Sequence, residues 1–390
     1  MSSFDKKVDR TGFASVKQAK VPACVTESGI MSLWGAEFEY PTAPFVTDAI
    51  VEWAKKGLYA YTVDDDSFHE LVKKWMKIQR NWEIRKEWIV PTYGITSSLA
   101  TCVRAFTQEN DGIIGMTPGY HMYWKAIELS GRKKVATELL YRNGRYEIDW
   151  KDLELKMAEP ANKMLVLCNP HNPVGRVWNR EEQLRIGKLA EKYGIIIFSD
   201  EIFGECLYDG VEMVTLNQIA DSDVKVIVAT SLGKWLSFTG TNQANMIIPD
   251  DSLREAFLAQ RDREFYGSMN PMMLPAYYAA YTEQGRQWLR EMMAYVQENY
   301  RMTAEFFDTR IPQFKAVRPE GTYILWVDCT ALGMDDEQLQ QFLFQKAHFH
   351  VDYGTCYGGH TGFFRMTLSV PRAELYRALC SLEQAVKDIS

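Results

Sequence analysis

Three short stretches of this 390-residue chain carry side chains whose types and positions suggest chemistry. Asn169-Pro170-His171-Asn172-Pro173-Val174-Gly175 follows the apolar run KMLVLC at 163–168; Ser199 and Asp200 follow IIIF at 195–198; Thr230, Ser231 and Lys234 follow VKVIVA at 224–229. Such runs, apolar on both faces and alternating with helical sequence, read as parallel strands covered on both sides. In open parallel sheets the loops beyond the carboxyl ends of the strands converge on one crevice. The spacing therefore brings an amide, a carboxylate and an amine together.

Those three groups make chemical sense around pyridoxal 5'-phosphate (PLP). Lys234 offers an amine that can condense with an aldehyde, Asp200 a carboxylate that keeps a pyridine nitrogen protonated, and Asn172 an amide donor for a phenolate oxygen. Gly94-Ile95-Thr96 opens a helix running to about Phe106, and its N–H groups suit a phosphate, with hydroxyls from Thr230 or Ser231 beside them. Tyr120 is placed to stack on a ring. Taken singly, an Asp after a strand caps a helix, a Lys is exposed and Asn-Pro is a turn; the conjunction carries the reading.

The elements that must position these groups are legible around them. Asn179, with Glu181 and Glu182 behind it, caps a helix that runs to about Lys192 and stops at Gly194. Gly112–Met116 reads as another strand, followed by the turn Thr117-Pro118-Gly119 and a helix over Tyr120–Leu129. Asn143-Gly144 is a two-residue hairpin signal. After about residue 285 the texture changes: an amphipathic stretch over 287–307, strands at 315–317 and 323–328, a helix near 336–347, a strand at 363–368 and a last helix from about Pro371. The expected architecture is α/β, a large domain with a mainly parallel sheet covered by helices on both faces plus a smaller α+β C-terminal domain. Residues 1–45 are expected to form an N-terminal arm serving the small domain and the site entrance, 46–285 the large domain, and 286–390 the small one.

Composition narrows the functional classes. With 44 Lys and Arg against 51 Asp and Glu the net charge is −7, and the basic residues form no block, so a nucleic-acid surface is not expected. The seven cysteines are scattered and never form C-x-x-C, which suggests neither a disulfide framework nor a zinc site. No apolar stretch reaches the length of a membrane span or signal peptide, and a cytoplasmic protein is expected. His348 and His350 alternate on a possible strand but lack a third metal ligand at suitable spacing, so no metal is expected and both read as surface or interface residues. His171 reads as shaping its loop, Asp64-Asp65-Asp66 as a capping turn, and Thr230–Lys234 as no nucleotide loop, since its first glycine is absent and Trp235 stands where Ser or Thr is needed. Phe203, Tyr123 and Trp124 fit either the pocket or the core.

The motif NPHNPVGRVW at 169–178, with SDEIFGE (199–205), TSLGKW (230–235), YAYT (59–62), TPGYHMYW (117–124), PEGTYILWVD (319–328) and GFFRMTLSVPR (362–372), resembles the fold type I PLP enzymes. Within the class I/II aminotransferase superfamily it is similar to the cystathionine β-lyase-like branch. The resemblance implies Lys234 as the cofactor-binding lysine and proton-transfer base, with its pKa depressed toward neutrality, and Asp200 as the pyridinium partner. It further implies Asn172 on the phenolate oxygen, Tyr120 stacked on the ring and Arg365 clamping the substrate carboxylate. Tyr61 is similar to the tyrosine that reaches the neighbouring subunit's phosphate, which implies a homodimer with shared active sites. Five departures from the branch stand out: Gly233 and Asn242 replace a usual Ser and Arg, 235–241 reads WLSFTGT, Lys17-Gln18-Ala19 replaces Lys-Trp-Asp, and Ala36-Glu37-Phe38-Glu39 replaces Ala-Asp-Met-Asp. The implied activity is carbon–sulfur β-elimination on a sulfur-containing amino acid. An aminotransferase and a PLP-binding regulator acting through protein contacts remain as alternatives.

Overall fold

The structure, a computed structural model, describes residues 2–220 and 223–389. Its large sheet is built from β1 (Ile89–Thr92), β2 (Gly112–Thr117), β3 (Lys133–Arg142), β4 (Arg145–Ile148), β5 (Asn162–Cys168), β6 (Ile196–Asp200), β7 (Val226–Thr230) and β8 (Ala244–Ile247). The spatial order is β1-β8-β7-β6-β5-β2-β3-β4. β3, β2, β5, β6 and β7 run parallel, β8 is antiparallel to both β7 and β1, and β4 is antiparallel to β3.

Strand alternation explains why two layers of helices are needed. Along β5, Met164, Val166 and Cys168 join one apolar cluster with Leu99 and Val103 of the helix Ile95–Phe106 and Phe257 of the helix Asp251–Arg263. Leu165 and Leu167 point the other way, into a cluster with Ile186 and Ala190 of the helix Arg180–Tyr193. A period-two strand with both sets apolar can bury itself only between two helical layers.

Local signals act where expected. Asn179 accepts a bond from the Glu182 N–H while the Glu182 side chain accepts one from the Asn179 N–H, and Gly194 ends the helix in the left-handed region at φ 66°. This is a complete capping box. Asn143 and Gly144, at φ 50° and 75°, turn β3 into β4. Asp65 caps the helix Asp66–Arg80 through the Phe68 N–H.

The small sheet has β9 (Lys315–Ala316), β10 (Ile324–Asp328), β11 (Asp352–Tyr353) and β12 (Phe363–Thr367), in the order β11-β12-β10-β9 and antiparallel throughout. The helices Glu283–Arg310 and Arg372–Lys387 pack together beside it. The stretch near 336–347 splits into a helix Asp336–Gln341 and one wider π turn, Phe342–Lys346. The strand considered at His348 and His350 is not formed: His348 has φ 51°, and β11 starts only at Asp352. His350 is no surface residue either, for it is buried with Nδ1 2.8 Å from Ser32 Oγ. Burial holds its imidazole down at about pKa 4. Residues of the N-terminal segment run along this sheet, with the Leu33 N–H bonded to His350 O, the Thr367 N–H to Leu33 O and the Glu39 N–H to Ser369 O, each at 2.9 Å.

Beneath the carboxyl end of β6 lies a buried charge cluster. Arg80 Nη1 pairs with Glu201 Oε2, and its Nη2 with Glu205 Oε1 at 3.0 Å. Ser199 and Thr215 add hydroxyl bonds to Glu201. Burial still pushes the Glu201 carboxyl up to about 7, against the pull of Arg80. Removing the cation would strand two buried acids. Arg80→Met is therefore expected to lower stability by about 3–5 kcal/mol, read as a fall in the urea midpoint at pH 7.5. A loss within about 0.5 kcal/mol, as at ordinary surface positions, would show that the cluster does not support the sheet end.

Candidate active site

A cleft of about 490 Å³ opens where the carboxyl ends of β2, β5, β6 and β7 meet the N-terminal segment and the small sheet. The order of strands reverses between β2 and β5, the place where open α/β sheets leave room for a ligand. Lys234, Asp200, Asn172, Tyr120, Ile95, Thr96, Ser231 and Arg365 all line it. Thr230 and Tyr61 do not. The Thr230 hydroxyl turns to the carbonyl of Asn245, its partner on β8, at 3.4 Å, because alternation along β7 sends its side chain to the face opposite that of Ala229. Tyr61 is 97% exposed in the single chain.

Asp200 is the last residue of β6, two residues beyond the apolar run that marks the strand in sequence. Its Oδ2 accepts the Tyr123 hydroxyl and its Oδ1 the Ile202 N–H at 3.0 Å. Burial raises its pKa, with those bonds and the Lys234 charge pulling it back. Lys234 lies 5.6 Å above the Phe203 ring, and its Nζ reaches the Ala36 carbonyl at 3.4 Å. Its pKa is pushed down to about 8, by burial first and then by the Arg365 charge, against Asp200 and Glu37.

Arg365 is buried and held on two sides. Its Nε and Nη2 donate to Asp352 Oδ2 at 3.1 and 2.7 Å, and its Nη1 donates to Asn172 Oδ1 at 3.1 Å. The pairing is set by sheet register, since Asp352 on β11 lies directly opposite Arg365 on β12. Asp352 also accepts the Gly35 N–H.

At the phosphate-suited end, Gly94 precedes the helix Ile95–Phe106 at φ 106° and no side chain caps it. The first-turn N–H groups are thus open donors at the positive end of the helix. A Cβ at Gly94 would sit 3.7 Å from Asn242 Cα, an ordinary contact, so it is the positive φ and not crowding that favours glycine. Ser231 Oγ donates to the Gln243 carbonyl and accepts the Gly233 N–H. A Cβ at Gly233 would come within 3.1 Å of Ser231 Oγ, which explains why the bare residue suits that turn.

PLP fits these donors group by group. The buried Asp200 carboxylate, raised for want of compensation, is what a protonated ring nitrogen completes. The desolvated Lys234 amine suits an aldehyde, and the uncapped helix start suits a phosphate.

Sequence reasoning missed Asp352, whose role exists only through β11–β12 register. It left Tyr123 undecided, although Tyr123 stands in the first turn of the helix His121–Leu129 that Tyr120 precedes, with the two rings 5.3 Å apart. His171 is buried with Nε2 2.7 Å from the Pro118 carbonyl and its pKa down at about 4 through burial, which suits a loop-holding role.

The sequence matches the aminotransferase class I and II family over residues 33–382. It is 31% identical over 387 residues to the cystathionine β-lyase PatB of Bacillus subtilis, covering 98% of this chain and 100% of that one. The fold is similar to PLP-containing cystalysin of Treponema denticola, with TM-score 0.92, 31% identity and all of both chains covered. It is also similar to the PLP-bound C–S lyase of Staphylococcus hominis, with TM-score 0.90, 26% identity and 99% and 98% of the two chains covered.

The depressed amine can be tested in cofactor-free protein. Pulse acetylation followed by peptide mass spectrometry is expected to give Lys234 an inflection near pH 8, because the neutral amine reacts, while ordinary lysines inflect near about 10.4. An inflection at the ordinary value would mean that the cleft does not desolvate the amine.

Proposed function

The chain belongs to the aminotransferase class I and II family and is a PLP-dependent enzyme, and from that premise we propose that it is a carbon–sulfur β-lyase. The reaction converts a sulfur-substituted L-amino acid and water to pyruvate, ammonia and a thiol. The observation that carries this reading is the convergence of Lys234, Asp200, Asn172 and Arg365 on one cleft. The choice of elimination is supported by the full-length likeness to a cystathionine β-lyase.

When bound, PLP supplies an electron-withdrawing ring that makes the Cα–H of a substrate amino acid acidic. Lys234, Asp200, Asn172, Tyr120, the Ile95–Thr96 backbone and Ser231 are the residues that would hold it. Arg365 binds the α-carboxylate through the Nη1–Nη2 edge, whose outer N–H groups Asp352 and Asn172 do not use, which fixes the direction of the Cα–H bond. The Lys234 amine, neutral in part near pH 8, takes the α-proton as a base tuned close to working pH. The resulting ammonium is the acid that can protonate the departing sulfur. Asp200 would supply the negative charge that keeps the ring nitrogen protonated, with the Tyr123 hydroxyl limiting its desolvation penalty. The Phe203 ring lies 5.6 Å from that amine.

Purified PLP-loaded protein is expected to form pyruvate from L-cystathionine without any α-keto acid, and Lys234→Ala to lose about 10³-fold in that rate. Turnover only after an α-keto acid is added would replace the lyase with an aminotransferase. No turnover with a panel of amino acids would favour a regulatory protein.

We further propose a homodimer with shared active sites. Leu58, Tyr59, Tyr61 and Val63 are all exposed within six residues, an apolar concentration unusual on a free surface. In the dimer Tyr61 reaches the partner's phosphate site. Mixing inactive Lys234→Ala with Tyr61→Ala chains should restore partial pyruvate formation, since hybrid dimers hold one intact site; a monomer by sedimentation would overturn the proposal.

A further inference from the structure

Three carboxylates line the cleft: Asp200, Asp352 and Glu37. The first two are committed, Asp200 to Tyr123 and Ile202, Asp352 to Arg365 and Gly35. Glu37 differs. Its side chain is 32% exposed, Arg10 Nη1 holds only its Oε2 at 3.0 Å, and Oε1 has no hydrogen-bond partner among the described residues.

The carboxylate is held by its neighbours. Arg10 also donates to the Phe38 carbonyl at 2.9 Å and to Glu39 at 3.2 Å, and buried Lys17 pairs with Glu39 at 2.6 Å. On either side of Glu37, the Ala36 carbonyl accepts from Tyr323 at 3.0 Å and the Phe38 N–H donates to Ser237 Oγ at 3.1 Å. The segments that depart from the family resemblance, 17–19, 36–39 and 235–241, thus brace one another around this position. Glu37 also raises the Lys234 pKa, so its charge is felt at the reacting amine.

One more cleft residue is relevant. The Lys20 ammonium lies 4.9 Å over the Trp34 ring and has no ion-pair partner among the described residues. An anion and a cation supplied by the same N-terminal arm complement a zwitterion.

We propose that Glu37 selects substrates whose sulfur-linked fragment carries a second ammonium group, accepting that ammonium while Lys20 meets the neighbouring carboxylate and Arg365 holds the reacting end. This rests on the reading that the substrate is a sulfur-substituted amino acid. A fragment that is itself an amino acid, as in a thioether or disulfide joining two, fits; a plain S-alkyl group leaves both charges unused.

The test compares two probes that contain no sulfur and cannot undergo the elimination: 2,7-diaminosuberate, and 2-aminosuberate, which lacks only the distal ammonium. Isothermal titration calorimetry on PLP-loaded wild type should show diaminosuberate binding about tenfold tighter, the scale of one charge-assisted bond. Glu37→Gln should bring the ratio of the two Kd values close to one, and Glu37→Asp, which keeps the charge, should retain part of the preference. Lys20→Met should weaken both probes alike, since both carry the distal carboxylate; unchanged binding would remove that half of the assignment. No preference in wild type, or a ratio unaltered by Glu37→Gln, would overturn the proposal. Equal weakening of both probes by Glu37→Gln would also overturn it, leaving Glu37 a bracing role only. Failure of the lyase reading would show separately, as absence of pyruvate from cystathionine.

Discussion

The site is organised around a desolvated carboxylate. Asp200 ends the central strand β6 with apolar strands on both sides, where an uncompensated negative charge is costly. The chain relieves that cost only in part, through the Tyr123 hydroxyl, the Ile202 N–H and the charge of Lys234. The remaining deficit is chemically useful, because it is made good by a cation delivered from outside the chain. The same burial lowers the Lys234 amine. One dielectric environment thus prepares an acceptor for a pyridinium and a base for a Cα proton.

Keeping that environment dry requires the neighbouring charges to be contained. Glu201, next in sequence to Asp200, is held by Arg80 away from the cleft, with Ser199 and Thr215 sharing its oxygens. Arg365 is contained differently. Its charge sits between Asp352 and Asn172, which orients the guanidinium yet leaves it inside the cleft. Arg80 and Arg365 are thus each neutralised within a few ångströms, whereas in the cleft Lys234 and Lys20 have no ion-pair partner among the described residues and Glu37 keeps one oxygen free of hydrogen bonds.

Much of the large domain is legible in the sequence because its signals are local. The capping box at Asn179 and Glu182, the Gly194 stop and the Asn143-Gly144 hairpin each depend on a few adjacent residues. The apolar runs of β5, β6 and β7 mark strands buried on both faces. The residues just after those runs fall in one crevice by the geometry of parallel sheets, so residue type and position alone group Asn172, Asp200 and Lys234. Thr230 escapes that logic because a shift of one residue along a strand moves a side chain to the opposite face of the sheet. His350 escapes it because its burial comes from Ser32 and the N-terminal segment, more than three hundred residues away in the chain.

By itself, then, the sequence determined the α/β order, the helix ends and the chemical inventory of the cleft, all of which follow from short-range periodicity and residue type. Only the tertiary structure decided how those groups are tuned. Asp352 meets Arg365 through antiparallel register between two strands, Tyr123 meets Asp200 across a helix–sheet contact, and Lys17 and Arg10 fasten Glu37 and Glu39 across a fold-back of the arm. Such pairings link residues separated by loops of arbitrary length, and the burial that shifts their charges belongs to the packed whole, so no local pattern encodes them.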